Sequence, residues 1–450
     1  MPLSENSGAS DPSGEEVATP QPPSRLALAM RSLRHRNFRL FFGGQLISLI
    51  GTWMQNIAQA WLVYRLTGSS LLLGTVGFAS QIPVFILAPI GGTVADRHNR
   101  HRIVIGTQTA SMILAFILAA LTLGQVVRVW HIMVLAALLG VVNAFDIPAR
   151  QAFIVEMVGR DDLMNAIALN SSMFNGARII GPAIAGILVA SIGEGWCFFA
   201  NAVSYIAVIV GLLLMHVERV SRLRDSTPLE HIIEGFQYVR RTLPIRDLLL
   251  LLGLISLVGM PYSVLMPIFA DKILHSGARG LGILMGATGV GALMGALMLA
   301  AKSGVRGLGR WVAVSAAAFG ITLILFSWSH LLWLSTFLLV PVGMAMMVEM
   351  AASNTLIQAM VPDELRGRVM AVYSMMFMGM APLGALFAGV LADRLGSPLT
   401  VSIGAVACLA GAAVFWRRLP ALRVEARQLI IAQAAGGGEP AEQATARSIS

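Results

Sequence analysis

Hydrophobic residues make up 56% of the 450-residue chain and charged residues only 12%. A soluble domain carries about twice that charge, so a soluble enzyme with one anchor is excluded and the chain reads as an integral membrane protein. The formal net charge of +9 does not argue for nucleic acid, because the basic residues are sorted by loop along the chain rather than gathered in one patch, and no nucleic-acid partner is expected.

Residues 1–32 read as a disordered tail. Residues 1–24 hold Ser, Pro, Gly and several acids, and lack the basic start and apolar stretch of a signal peptide. Twelve apolar stretches follow, at roughly 40–64, 71–95, 103–127, 131–150, 165–190, 196–216, 248–270, 280–301, 310–328, 331–352, 369–391 and 399–418. Each is near the ~20 residues that cross a bilayer as a helix. The first carries Gln45, Ser48, Thr52, Gln55, Asn56 and Gln59, a spacing that keeps them on one side of a helix. Polar side chains at lipid depth face a cavity or a partner. Thr52, Gln55, Asn56 and Gln59 are therefore candidate substrate contacts, with hydrogen bonding between helices as the alternative.

The second stretch ends in Gly91-Gly92, then Asp96, Arg97, Asn99, Arg100 and Arg102. The glycines are expected to let two helices approach closely, and the acid to be held by an Arg or a neighbouring helix end. Asp146 and Arg150 stand four residues apart at the end of the fourth stretch. Arg178 falls in the middle of the fifth, where it either braces the helix or faces a water-filled cavity and attracts an anionic or carbonyl-rich compound. Gly181-Pro182 follows among small residues; Pro182 frees a backbone carbonyl and bends the helix, and the small residues allow close packing. Cys197 and Cys408 lie within predicted helices and read as small apolar fillers, with no disulfide, metal or cofactor implied.

Between the halves, residues 217–247 form a linker. Thr227 as N-cap, Pro228 and Glu230 start a helix there. Leu229, Ile232, Ile233 and Phe236 share one face and Arg240 and Arg241 end it, the pattern of an amphipathic helix on the inner membrane surface or of one packed beneath the bundle. Glu349 occupies the inner end of the tenth stretch, Arg366 and Arg368 the loop after it, and residues 421–450 a second tail.

Nearly all Lys and Arg fall in alternate loops and the two tails. The other side holds Arg65, Arg128, Lys272, Arg279 and Arg394. This asymmetry predicts that both termini are cytoplasmic. Asp96, Arg97, Arg100, Asp146, Arg150, Glu349, Arg366 and Arg368 then form an inner layer of opposite charges, able to hold the halves together inside while the outside opens.

The chain also repeats. A shift of 203 residues aligns 154–193 with 357–396 without a gap, pairing Met157 with Met360, Ser171 with Ser374, Gly181 with Gly384 and Gly186 with Gly389, and it pairs Asp146 with Glu349. The expected architecture is an all-α membrane protein of twelve transmembrane helices in two pseudo-symmetric six-helix bundles, 33–216 and 248–420, related by an axis along the membrane normal.

The segment Gly92, Asp96, Arg97, Asn99, Arg100, Arg102 resembles the loop between helices 2 and 3 of the major facilitator superfamily. Gly181-Pro182 resembles the fifth-helix motif of its proton-driven exporters, with Ala177 in place of the leading Gly and Ala185 in place of the first terminal Gly. Asn143 to Phe153 and Pro362 to Met370 resemble the enterobactin-exporter and macrolide-efflux branch. The resemblance implies a secondary active transporter, a proton-driven exporter of a siderophore or hydrophobic drug-like molecule, in a bacterial inner membrane and acting as a monomer. Helix 1 has no obvious mid-depth carboxylate, so Asp146 and Glu349 are the candidate proton carriers. Gly92, Asp96, Arg97, Arg100, Asp146, Arg150, Gly181, Pro182, Glu349, Arg366 and Arg368 are the gating and coupling candidates.

An importer or lipid transporter of the same superfamily is the nearest alternative. A non-transporting sensor or partner subunit would call for added soluble domains, and a membrane enzyme for a clustered nucleophile, base or metal set. The sequence offers neither. Ala301 before Lys302-Ser303 rules out a phosphate loop.

The charge asymmetry fixes a test of topology. Single cysteines at Ser226 and Ser276 should react with an impermeant thiol reagent from opposite sides of the membrane; labelling of both from one side overturns the helix count.

Overall fold

The computed structural model describes residues 30–159, 161–215, 228–302 and 304–436. Among them the secondary structure is helical, without a strand. The first six long helices are α1 (Arg36–Thr67), α2 (Ser70–Arg97), α3 (Arg100–Leu123), α4 (Val129–Val158), α5 (Leu163–Ile192) and α6 (Glu194–Leu213). A short helix, α7 (Pro228–Arg241), lies in the linker. The second set is α8 (Leu243–Ile273), α9 (Gly277–Ala300), α10 (Leu308–Ser327), α11 (Leu332–Met360) and α12 (Asp363–Leu395), then α13 (Ser397–Gly436). Eleven of these are long and apolar enough to cross a membrane. The 32 residues of α1 are long enough too, but the Gln and Asn of its polar stripe dilute its hydropathy. With α1 counted, there are six long helices on each side of the linker among the described residues.

Short turns keep consecutive helices antiparallel. Gly68 adopts φ 60°, a left-handed conformation open to glycine at little cost, and so closes α1. Ser69 then caps α2 by accepting from the Leu72 amide at 3.3 Å. At the other end of α2, the Asn99 side chain accepts from the Arg102 amide at 3.1 Å and starts α3. We call the side bearing this α2–α3 turn, the linker helix and both ends of the described chain the basic face. The outer girdle of the bundle is apolar, with Ile86, Trp333 and Phe337 largely exposed, as lipid contact requires.

The linker features expected from the sequence are only partly visible: Thr227 and the side chains of Leu229, Glu230 and Ile232 lie outside the described residues. Helix α7 packs against the start of α12. A Cβ on Gly235 would meet the Arg368 carbonyl oxygen at 2.7 Å, and Glu234 pairs with Arg368. Of the tails, 1–29 and 437–450 lie outside the described residues, whereas α13 continues as helix through 421–436.

Two glycine seams join the six-helix halves. On one, a Cβ on Gly186 of α5 would meet Gly282 Cα of α9 at 3.0 Å, and a Cβ on Gly282 would meet the Pro182 oxygen at 2.7 Å. On the other, a Cβ on Gly74 of α2 would meet the Ala385 carbonyl oxygen of α12 and, at 2.9 Å, Gly389 Cα. Gly186 and Gly389 are the residues paired by the sequence repeat, so equivalent glycines make the closest approach on both seams. Lipid supplies no hydrophobic drive between helices, and backbone contact at small residues replaces it.

The close approaches run from the face opposite the basic one to mid-depth. There they end at Phe85 against Gly379 and at Ile179 against Gly289. Polar contacts between halves also sit on that far face: Tyr64 donates to the Asp271 carboxylate at 2.7 Å and Lys272 to the Gly68 carbonyl at 3.3 Å. Nearer the basic face, Gly92, Gly176 and Gly367 have open space where a Cβ would stand. Gly92 lies eighteen residues, five helical turns, along α2 from Gly74 and so on the same side of that helix. The halves are therefore closed on the far face and parted toward the basic face.

Both seams pass beside irregular backbone. Helix α8 changes from α to π at Ile255–Gly259 and to 3-10 at Met260–Ser263, where Pro261 removes a donor, and α12 is interrupted at Gly379.

A Leu at 282 would place its side chain in the Gly186 and Pro182 backbone, an overpacking that costs about 1–3 kcal/mol in a packed core. Gly282→Leu should keep its helix content, hold the far face open, and lengthen spin-label distances across it. Unchanged distances with wild-type transport overturn the seam's role.

Candidate functional site

Arg178 stands at mid-length of α5, where its guanidinium lies 5.9 Å from the Trp53 ring centroid of α1. Trp53 is held edge-on by Phe174, one turn earlier on α5, at 5.6 Å. The Arg178 carbonyl oxygen lies at the Gly289 position of α9, and Tyr262 of α8 is within electrostatic range. The residue thus stands where α1, α5, α8 and α9 meet, at the depth where the halves begin to part. Among the described residues no carboxylate pairs with it. A lone Arg at the bilayer centre costs about 2.5–3.5 kcal/mol or more, and a ring contact returns roughly 0.5–2 kcal/mol. The remainder calls for water or an anion.

The polar stripe of α1 divides into two parts. Gln45, Ser48 and Gln55 are buried. Gln55 accepts from the Asn201 amide of α6 at 2.7 Å, and Thr52 lies 3.4 Å from the Tyr205 hydroxyl. A Cβ on Gly51 would strike Asn201 and Ser204; with no side chain there, α1 and α6 approach closely enough for these bonds. Gln55 and Thr52, expected as substrate contacts, are thus turned to the α1–α6 seam and serve packing. Asn56 is exposed and Gln59 half-buried, so these two, with Arg178, remain open.

The carboxylates of the two halves have different company. Asp146 is buried and accepts from Thr107 at 2.7 Å and from Gln108 at 3.0 Å; Arg150 pairs with it at 3.1 Å. Glu349, its repeat partner, is equally buried, and the described hydrogen bond to it is from Ser353 at 3.3 Å. Ser353 occupies the place that the repeat assigns to Arg150. The Tyr373 hydroxyl of α12 donates to the carbonyl of Met350, the residue after Glu349, at 3.0 Å.

The expected inner charge layer is present, but each pair stays within one half or on the linker. Asp96 pairs with Arg100 at 3.2 Å, and Arg100 with Glu156 of α4 at 2.8 Å. Arg366 pairs with Asp363 and Arg368 with Glu234. Arg97 is exposed. No ion pair joins the halves here among the described residues, because the halves are parted. The close approach expected of both glycines is made by Gly91, whose Cβ would strike the Ala144 carbonyl of α4, and not by Gly92, which faces the opening. Gly181 is tightly packed, a Cβ there meeting the Trp53 Cβ at 2.5 Å, and Pro182 lies on the α5–α9 seam.

Sequence reasoning missed a cluster just outside the spans. Arg31, Arg34 and His35 converge on buried Asp162, each at 2.7 Å, and the Ser32 amide and hydroxyl donate to Asn165 at 2.8 and 2.7 Å. A 3-10 turn over Arg31–Arg34 makes this possible and so falls across the expected boundary at residue 32. Glu156, Asp271 and the Arg65–Glu194 pair were missed as well. Acidic residues are few in this chain, and each one near a helix end was a signal worth following.

The profile of the transmembrane secretion effector family matches residues 27–434. The chain belongs to this family of the major facilitator superfamily. Relatives include the staphyloferrin A transporter of Staphylococcus aureus, 26% identical over 84% of this chain and 95% of that one. The multidrug efflux pump Tap of Mycolicibacterium fortuitum is 27% identical over 77% and 87%, and macrolide efflux protein A of Streptococcus pyogenes 23% identical over 81% and 92%. In fold, this secretion effector resembles a bacterial homologue of the iron transporter ferroportin in its inward-facing state, with TM-score 0.67 at 16% identity over 85% of this chain and 98% of that one. It also resembles the nucleoside transporter NupG, with TM-score 0.65 at 14% identity over 87% and 99%. The chain is a multi-pass membrane transporter.

The Asp162 cluster yields a prediction. The hydrogen bond from His35, then the charges of Arg31 and Arg34, hold the Asp162 carboxyl below its ordinary range against the opposing effect of burial. Its stabilising contribution is complete above the usual Asp pKa of about 3.9 and is lost as pH falls through the lowered native value. Asp162→Asn should speed amide hydrogen exchange in the first turn of α1 at neutral pH, and the wild type should show the same loosening only in strong acid. Equal exchange in both proteins at pH 7 removes the clamp.

Proposed function

We propose that the protein is a proton-coupled exporter of an amphipathic, anionic or carbonyl-rich small molecule, a siderophore or drug-like compound, working by alternating access with both termini in the cytoplasm. The observation that carries this reading is Arg178, a cation without a carboxylate partner at the junction of four helices and both halves. In a low-dielectric cleft it attracts an anion or a dense set of carbonyl oxygens. Trp53 and Phe174 add an apolar wall, and Asn56 a hydrogen-bonding group. The names of the relatives support the substrate class: one is a siderophore transporter and others are efflux proteins.

Glu349 is our candidate for the coupling proton. A buried carboxylate without a cation is costly unless it takes up a proton, whereas Asp146 is matched by Arg150 and has a structural role. Protonation of Glu349 from one side and its release to the other would link the gradient to the rocking of the halves. When the basic face closes, Gly92 and Gly367 are the small residues that would allow α2 and α12 to meet. Asp96, through Arg100, would hold the α2–α3 turn in the shape that this contact needs.

Two variants test the reading. Arg178→Gln should weaken transport of an anionic substrate about tenfold or more relative to a neutral one, as expected for loss of a charge-assisted contact, without lowering the melting temperature in detergent. Equal loss for both substrates with a lowered melting temperature makes Arg178 a brace. Glu349→Gln should abolish gradient-driven accumulation of substrate in everted vesicles while substrate binding persists; accumulation that still responds to the gradient excludes Glu349 as the proton carrier.

A further inference from the structure

A second cavity lies away from the cleft. At the basic face, α8, α10, α11 and the extended end of α13 enclose a groove of about 820 Å³. Its floor is apolar, with Leu248, Leu356, Phe415 and Leu419. Its walls carry Arg306 and Arg310 on one side, four residues apart, and Arg423 and Arg427 on the other, also four apart. All four are exposed at the mouth. Among the described residues none of them pairs with a carboxylate, and Glu425, between the two on α13, pairs with neither. The contrast with their neighbour is direct: Arg418 is neutralised by Asp247 at 2.9 Å. Arg310 in addition lies 5.9 Å from the Trp416 ring.

An apolar trough whose rim holds four uncompensated guanidinium groups fits a ligand with an acyl chain and an anionic head. We propose that this groove binds an anionic glycerophospholipid of the cytoplasmic leaflet, its phosphate between the arginine pairs and a chain against the Leu and Phe floor. The inference takes its orientation from the reading above and is independent of the transported substrate. Basic pockets between helices on the cytoplasmic side hold anionic heads in this manner, and guanidinium forks match phosphate oxygens. A polypeptide occupant is less suited, since the floor offers no polar partner for a backbone.

The test uses the full-length protein, stripped of lipid in detergent and titrated with phosphatidylglycerol or phosphatidylcholine of identical chains, with bound lipid read by native mass spectrometry. Phosphatidylglycerol adducts should persist at collision energies that remove phosphatidylcholine. Each single Arg→Gln change among the four should lower retention about fivefold, whereas the control R240Q/R241Q should retain wild-type occupancy. Equal retention of the two lipids, or equal loss in the control, overturns the proposal. An adduct that appears only after truncation at Gly436 also overturns it, because it makes the terminal segment, with Glu439 and Glu442, the occupant. A measurement on the wild type covers variants that fail to fold. Brominated phosphatidylglycerol should quench Trp416, read as the difference from Trp416→Phe, more than brominated phosphatidylcholine does; equal quenching again overturns the site.

Discussion

The halves of this transporter are held together by backbone lying against backbone. Gly186 on Gly282 and Gly74 on Gly389 bring helices to a separation that any side chain would prevent. Without a hydrophobic drive between helices in lipid, such contacts are the main source of cohesion, and they place the rest of the molecule. They set α5 beside α9 and α2 beside α12, and so place Arg178 at the boundary between the halves. Because they reach only to mid-depth, the same contacts leave the basic face free to part. Contact through small residues has little interlocking relief, so one seam can roll on the other at low cost.

Against this symmetric frame, polar chemistry is unequal. The repeat places Asp146 and Glu349 at the same site in the two halves, yet one has an Arg four residues on and the other a Ser. The first half gives Asp146 three partners, Arg150, Thr107 and Gln108, and a separate bond joins Asn201 to Gln55 between α6 and α1. The second half holds an acid with a single hydroxyl partner and an α8 of mixed helix types. The two halves thus share a backbone plan and differ in how their buried acids are compensated.

Much of the fold was legible because membrane solvation is a coarse constraint. Apolar length, the sorting of Arg and Lys, and the gapless match of Gly181 and Gly186 to Gly384 and Gly389 suffice to draw two six-helix halves. The site was legible only in part. Arg178 stood out because one cation among apolar neighbours has few explanations. The stripe from Gln45 to Gln59 did not sort itself, since helical spacing gives a side of α1 but not which neighbour covers it; Asn201 and Tyr205, far along the chain, decide that Gln55 and Thr52 face inward. Gly91 and Gly92 were inseparable for the same reason: they differ by 100° around α2, and only the position of Ala144 tells them apart. The lipid groove left no local pattern, as its arginines come from two segments more than a hundred residues apart.

The clamp on Asp162 has a consequence for how the chain is made. Arg31, Arg34 and His35 precede the first helix, and their acceptor follows the fourth, so the ion pairs form only after four helices have left the ribosome and entered the bilayer. Until then these basic groups stay uncompensated, at the moment when charge beside the first helix sets its direction of insertion. When Asp162 arrives, it cancels part of that charge and ties the entrance of α1 to the start of α5. The latch on Asp162 can therefore close only once the first four helices are in place.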